Sequence, residues 1–518
     1  MKTRKQQTPT RRLAVSTLIL LGMGLLGCAR EPERAGIEIV SSDTSLVAAF
    51  DWAREKALSY VQTGKRGPVD VWERGAGRDT VAYLPTYWAG YPGRSAFYSR
   101  DFAHQLTGAH LLGLGEENFT MMRAFAASAD EGKRWFPLWA INFDGSPFAL
   151  DYRGDTDFVR EVPAVFELVE KAEVLYRWTG DRRYVEDEVL WTFYTKAVTD
   201  FVALHDDRLP NGVAEGTGEG IFAGAASYNE SPDAPLIEAG DAIAAQYRAY
   251  DAYARIAALR GEPALADTFS RKADALKAYF NEEWGGDDAE SYRRGYLASG
   301  EAVAGWGKEN SWFMPMKGIV EAGSARANAY LDFIGDRLQS GDDMPDNIEA
   351  LTYIPETFFL HHRNEEGWRW MKHIMMRLDQ DHSHRIATGR NGDYPEVSYV
   401  LIQNAVVDLL GLSPDAGERR MATLSHLPRD VERLGARNIP MGDALLSVTH
   451  EAGHTSRLRF QQGAGALRWQ AGFPGRHAEL IVDGARQPAM QGVDHGMPFA
   501  YVTVTLRPGE EAVVTTRE

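Results

Sequence analysis

The chain has 518 residues, a formal net charge of −17 and one cysteine, Cys28. That acidity argues against a nucleic-acid partner, because neutralising phosphates needs a basic surface. A single cysteine excludes disulfides and cysteine-ligated metal centres, so stability must come from packing, which a chain of this length can supply.

At the N-terminus Lys2, Arg4, Lys5, Arg11 and Arg12 precede the apolar run Leu13 to Leu26, which is too short for a comfortable membrane span. It ends in Leu25-Leu26-Gly27-Cys28, which resembles the lipobox of bacterial lipoproteins. The resemblance implies a signal peptide over 1–27 and lipidation of Cys28, followed by a linker over 28–40. Ala29 stands where an inner-membrane retention signal would place Asp, so an outer-membrane or cell-surface address is expected, with the lipid as the only membrane contact.

From Thr44 the apolar residues Leu46, Phe50, Ala53, Ala57 and Val61 recur at helical spacing, with Asp43 or Thr44 as N-cap. The same reading predicts helices over 44–62, 101–113, 116–129, 158–178, 182–206, 236–260, 263–284, 308–320, 324–338, 347–363, 365–379 and 396–411. Links after even helices are tight and carry stop signals at Gly113, Gly115, Gly180, Gly261 and Gly323, with Asn364 taking that role in the fifth. Links after odd helices are mostly long: 63–100, 130–157, 207–235, 285–307 and 380–395, with a shorter one at 339–346. Short tips at one end and long loops at the other predict a mainly α fold, an (α/α)6 toroid of six helical hairpins over 41–415. The even helices form its inner ring, entered from the long-loop face. Residues 238–254 are small and apolar nearly all round, as a buried inner helix requires. By contrast 182–206 carries Arg182, Arg183, Glu186, Asp187, Glu188 and Lys196, as an outer helix would. After Gly411 the pattern turns to strands at 444–450, 456–461, 466–473, 477–483, 499–506 and 511–517, with turns at Pro474-Gly475, Asp483-Gly484 and Pro508-Gly509. They predict a small antiparallel β-sandwich, assigned to 416–518.

Three segments of the helical region carry a family likeness: Tyr98-Ser-Arg-Asp-Phe-Ala-His-Gln-Leu-Thr-Gly through Leu114, Phe158 to Phe166 leading to Trp178-Thr-Gly-Asp181, and Gly392-Asp-Tyr-Pro-Glu-Val-Ser398. With these, the chain resembles the six-hairpin glycosidase superfamily. The run Leu424-Ser-His-Leu-Pro428 through Asn438-Ile439-Pro440 and Val482-Asp-Gly484 resembles the sandwich that follows the toroid in α-L-rhamnosidase-like enzymes. The Asp-Trp pairing and the Trp-Glu-Arg-Trp-type segment usual in rhamnosidases are absent, so rhamnose itself does not follow. The resemblance implies a glycoside hydrolase, which needs two carboxyl groups flanking the scissile bond. It also places the base near helix twelve and the acid in the loop before helix six. By position, Glu396 is the candidate base, and Glu215, Glu219, Glu230 and Glu238 compete as acid. Carboxylates at Asp101, Asp144, Asp151, Asp155, Glu161, Asp241 and Glu309 share the long-loop face.

Candidate substrate contacts are Tyr98, Arg100, Asp101, His104, Asn310 and Arg390, with Trp139, Tyr228, Trp312 and Tyr394 as platforms for sugar rings. Arg100 and Arg390 would suit a uronic acid or another acidic sugar. Asp381, His382 and His384 lack a clear third ligand, so no metal site is assigned. No nucleotide-binding or zinc-protease motif occurs, and no cofactor is expected. Two alternatives stay open. One is a polysaccharide lyase using His104, His384, Tyr228 or Tyr394 for β-elimination; the other is a non-catalytic oligosaccharide-binding lipoprotein. Oligomeric state stays open as well.

Overall fold

The computed structural model describes residues 36–70, 80–230, 233–345, 347–383 and 389–516. Among them run twelve helices of eight residues or more: α1 Thr44–Ser59, α2 Ser99–Leu111, α3 Gly115–Ser128, α4 Val162–Thr179, α5 Glu188–Val198, α6 Gly240–Leu259, α7 Pro263–Tyr279, α8 Glu309–Met316, α9 Ala325–Ser340, α10 Tyr353–Leu360, α11 Asn364–Met375 and α12 Pro395–Gln403. The even helices pack in sequence, α2 on α4, α4 on α6, α6 on α8 and α8 on α10. The ring closes where α12 packs on α2 and its continuation, residues 404–408, meets α10. This is the (α/α)6 toroid.

Burial follows the ring. Every residue of α2 except Arg100 is buried, whereas outer α7 buries only Phe269, Ala273 and Leu276. The apolar periodicity of an outer helix faces inward only, while an inner helix is covered on all sides. Where α2 crosses α12, a Cβ on Gly108 would stand 2.1 Å from the Tyr399 carbonyl oxygen, so only glycine allows that approach.

The hairpin tips reverse through left-handed residues at Gly113, Gly180, Gly261 and Gly323. At the fifth tip the left-handed residue is His362, at φ 57°, and not Asn364, which opens α11. His362 Nε2 lies 3.0 Å from the Asp494 carbonyl oxygen, a sandwich contact that holds this unusual backbone. Several expected helices are trimmed or broken; 347–363 divides at Thr352, and 308–320 and 396–411 end early, at Met316 and Gln403. Residues 157–158 and 236–239 are strands, because they pair with 152–154 and 295–297 before their helices begin. The stretch 182–206 breaks at Asp187, whose side chain accepts from Val189 N and Leu190 N and starts a new helix, and again at Thr199.

The C-terminal strands form a seven-stranded sheet in the order 38–41, 433–441, 444–451, 455–462, 511–515, 479–482 and 485–488. A five-stranded sheet follows the order 412–415, 420–424, 467–474, 497–506 and 490–494. One pairing departs from the antiparallel expectation: Arg420–Leu424 runs parallel to Leu467–Pro474. The chain between them crosses to the other sheet for three strands and returns at the same end. The stretch expected as a linker is also structured at its end, since Glu38–Ser41 pairs with 434–437 as an edge strand. Alternation of Ile37 and Ile39 into the core explains why it docks. No helix among the described residues is long and apolar enough to cross a membrane. Cys28 lies outside the described residues.

Candidate active site

Each of the six inner helices starts with a carboxylate. Asp101 lies in the first turn of α2, Glu161 caps α4, Asp241 is in the first turn of α6 and Glu309 opens α8. Glu349 sits in the short helical turn 348–351 that leads into α10, and Glu396 in the first turn of α12 behind Pro395. Free N–H groups at helix starts favour negative charge. Loss of water around the ring works against it. Burial pushes Glu309 and Asp241 up to about 7. It also raises Asp101, Glu161 and Glu396, and Glu396 lifts Asp101 further.

Asp101, Glu309, Glu349 and Glu396 line a cavity of about 420 Å³ at this end of the ring. The other two carboxylates hold its wall. Asp241 Oδ2 accepts from Ser227 Oγ (2.9 Å) and Tyr228 N (2.7 Å), fixing the loop ahead of α6. Glu161 Oε2 accepts from Trp139 Nε1 at 2.9 Å.

Glu396 is held from below. Its Oε1 is 2.5 Å from His104 Nδ1, and among the described residues no protein donor engages its other oxygen. His104 stacks on Tyr353 with centroids 3.6 Å apart, and its Nε2 stands 3.7 Å from Glu356 Oε2, an ion-pair distance too long for a hydrogen bond. Burial alone would lower the His104 pKa, but the two carboxylates raise it overall, so the imidazolium is favoured between them. Glu309 differs: its Oε2 is buried with no hydrogen-bond partner, which favours the protonated acid.

Beside Glu396, Tyr394 OH donates to Asp101 Oδ1 at 2.7 Å, and Tyr394 stacks against His382, whose Nε2 is 2.8 Å from Glu349 Oε2. His382 is thus engaged with a carboxylate of the cavity; His384 lies outside the described residues. Among those residues no group of His, Cys, Asp or Glu side chains could hold a metal. Arg100 donates to the Tyr228 carbonyl oxygen (2.9 Å) and to Glu230 Oε1 (3.0 Å). Tyr228 OH donates to Glu167 Oε2 at 2.6 Å.

The cavity therefore brings together Tyr98, Arg100, Asp101, Trp139, Tyr228, Glu230, Tyr394 and Glu396 of the candidates read from sequence, with His104 beneath. Others lie elsewhere for identifiable reasons. Glu215 accepts from the backbone N–H groups of Arg208 and Leu209, closing a turn. Glu219 is exposed on its glycine-rich loop. Glu238 accepts from Asn211 Nδ2 and Trp284 Nε1, away from the opening. Trp312 is fully buried in the ring core, and Asn310 points to Ser227 Oγ at 3.4 Å. Arg390 is exposed and pairs with Asp379 at 3.0 Å. Tyr91, Arg94, Lys308, Glu349 and Tyr353 line the cavity without having been singled out, and Glu309 was placed only on the correct face. Extending to every inner helix the rule that selected Glu396, a carboxylate at the helix start, finds Glu309 and Glu349.

No family model matches the chain, and no curated protein matches it in sequence. Among solved structures it is similar to an α-L-rhamnosidase from Dictyoglumus thermophilum, at 12% identity and TM-score 0.58, over 93% of this chain and 50% of that one. A GH78 family rhamnosidase of Bacillus sp. GL1 aligns at 14% identity and TM-score 0.56, over 80% of this chain and 40% of that one. An α-L-rhamnosidase from Aspergillus terreus aligns at 12% identity and TM-score 0.52, over 92% and 50%. The chain thus spans about half the length, or less, of these rhamnosidases. At such identities the likeness is one of fold: the six-hairpin toroid followed by a β-sandwich.

Proposed function

We propose that this protein is a glycoside hydrolase in which Glu309 is the general acid and Glu396 the general base. The observation that carries the proposal is the pairing of unlike carboxyls in one cavity. Glu309 is held protonated up to about pH 7 by burial; burial raises Glu396 as well, but His104, bonded to one of its oxygens, works against that rise. Hydrolysis needs that difference, since one group must give a proton to the departing oxygen while the other accepts one from water. The two groups stand on α8 and α12, with α10 between them on the ring. Of the acids expected ahead of α6, Glu230 alone lines the cavity, where Arg100 pairs with it at 3.0 Å. A substrate-contact role suits it better than proton donation.

The cavity favours a neutral sugar. The acidic-sugar reading rested on Arg100 and Arg390, and Arg390 is remote. Arg100 and Lys308 are already paired with Glu230 and Asp343, and Arg94 stands in the field of Asp151. Tyr98 and Trp139, in edge contact at 4.8 Å, offer an apolar wall for a pyranose face. The lyase reading built on Tyr228 or Tyr394 is disfavoured because both donate to carboxylates, whereas β-elimination needs a tyrosine free to take a proton. The test is incubation of residues 29–518 with neutral and acidic oligosaccharides, followed by mass spectrometry. Products one water heavier, lost in Glu396→Gln, support hydrolysis; unsaturated products would overturn it.

A further inference from the structure

A second cavity, of about 320 Å³, opens at the opposite end of the ring, among the C-terminal halves of the inner helices and beside the sandwich strand 412–415. His104 and Glu356 separate the two: Glu356 lines the rear cavity, and His104 carries the contact forward to Glu396. The rear cavity differs in charge from the acidic chain around it. Lys171, Arg177, Arg248, Lys277 and Lys317 all line it.

Two of these cations are spoken for. Lys317 is clamped between Glu167 (2.5 Å) and Glu170 (2.6 Å), and Arg248 lies 3.3 Å from Asp251. The other three have no carboxylate in hydrogen-bond contact. Arg177 donates to the neutral Pro414 carbonyl and Ser413 hydroxyl, with Glu173 no nearer than 4.0 Å. Lys277 donates to the Gly318 carbonyl oxygen at 2.7 Å. Lys171 is 7% exposed and, among the described residues, makes no hydrogen bond or ion pair. An ammonium that lines a cavity with no contact partner gains when an opposite charge enters to meet it. The lining carboxylates Glu170, Glu356 and Asp408 act on Lys171 through space, but among the described residues none stands within ion-pair distance of it. Glu170 is committed to Lys317, and Glu356 faces His104. Burial pushes Asp408 up to about 7, with Glu356 adding to the rise. Helix C-termini attract cations, which accounts for some basic residues at this end. Lys171 sits mid-helix in α4, beyond the reach of that explanation.

We propose that the rear cavity binds a small oxyanion, a phosphate or carboxylate group on a body of monosaccharide size, held by Lys171, Arg177 and Lys277. Trp178, Leu360 and Val407 supply the apolar wall against which such a body packs.

The test is isothermal titration calorimetry on residues 29–518 at constant ionic strength. Inorganic phosphate, glucose 6-phosphate and glucuronate are the oxyanion probes, with glucose and sodium chloride as controls. Saturable binding of at least one oxyanion is expected, with none for sodium chloride; glucose reads the front cavity, which the lysine variants leave unchanged, and the phosphate and glucuronate arms tell which anion is preferred. Lys171→Met should weaken binding tenfold or more, and Lys277→Gln at the rim severalfold without risk to the fold. Glu309→Gln and Glu396→Gln should leave binding unchanged, and this readout does not depend on the front cavity being catalytic. Absence of saturable oxyanion binding, or oxyanion affinity unchanged in both lysine variants, would overturn the proposal. So would affinity lost in a front-cavity variant alone.

Discussion

Replacing Glu309 by Gln should cost activity and raise stability at the same time. Burial lifts this carboxyl from 4.5 to about 7. Below pH ~4.5 it is protonated in both the folded and unfolded chain and makes no difference. Between that value and about 7 the unfolded chain releases the proton while the folded chain keeps it, so stability falls as pH rises. Above about 7 both forms are ionised, and the full penalty of about 3 kcal/mol applies. Glutamine keeps the shape and never ionises, so it escapes the penalty. For a unit of this size the unfolding entropy is on the order of 1 kcal/mol per kelvin, which makes the gain about 3 °C. Differential scanning calorimetry of both proteins at pH 5 and pH 8 reads it directly. The melting difference should be small at pH 5 and near 3 °C in favour of Glu309→Gln at pH 8. Activity on a natural glycoside should fall ~10²–10⁴-fold for loss of a general acid, and far less on an aryl glycoside whose leaving group needs no proton. A melting difference independent of pH, or equal losses on both substrates, would refute the role assigned to Glu309.

Lys317→Met should destabilise by ~3–5 kcal/mol, because Glu167 and Glu170 would be left as buried charges without their cation; thermal melting at pH 7 checks it, and an unchanged melting point would contradict the pairing. Gly108→Ala should cost ~1–3 kcal/mol, since its Cβ meets the Tyr399 carbonyl oxygen and a backbone cannot step aside as a side chain can. The same substitution at exposed Gly220, where a Cβ meets nothing, is the control in the same melting assay. Cys28→Ala should move the full chain from the membrane to the soluble fraction and abolish labelling by a radioactive fatty acid; membrane association unchanged would remove the lipid anchor.

The helical half of the fold is legible because its signals are local. Glycine at a left-handed tip and apolar residues at helical spacing need no knowledge of the rest of the chain; they place most helices within a few residues, while 182–206, 347–363 and 396–411 yield the shorter α5, α10 and α12. The strands that escape notice lack that local signal. Arg433–Met441 carries a bulge between Ala436 and Ile439, with Asn438 left-handed, which breaks its alternation. Ala485–Pro488 is exposed throughout, so no face is marked by apolar residues. In the site, Glu396, Asp101 and Arg100 are legible because a helix start facing a long loop is itself a position. Glu215 and Glu219 misled because glycines around a carboxylate signal a turn as readily as a ligand contact. Trp312 misled because a large aromatic at a helix start serves the core equally well. Tyr353 and His104 meet through a stack between helices far apart in sequence, a relation that only the closed ring supplies.

Hydrolysis at Glu396 is tested most directly by comparing wild type with Glu396→Gln on one cleaved oligosaccharide, measuring turnover and binding separately. The assignment predicts turnover lost by several orders of magnitude with binding of the intact oligosaccharide retained. Turnover within a few-fold of wild type would contradict it, as would loss of binding in step with turnover.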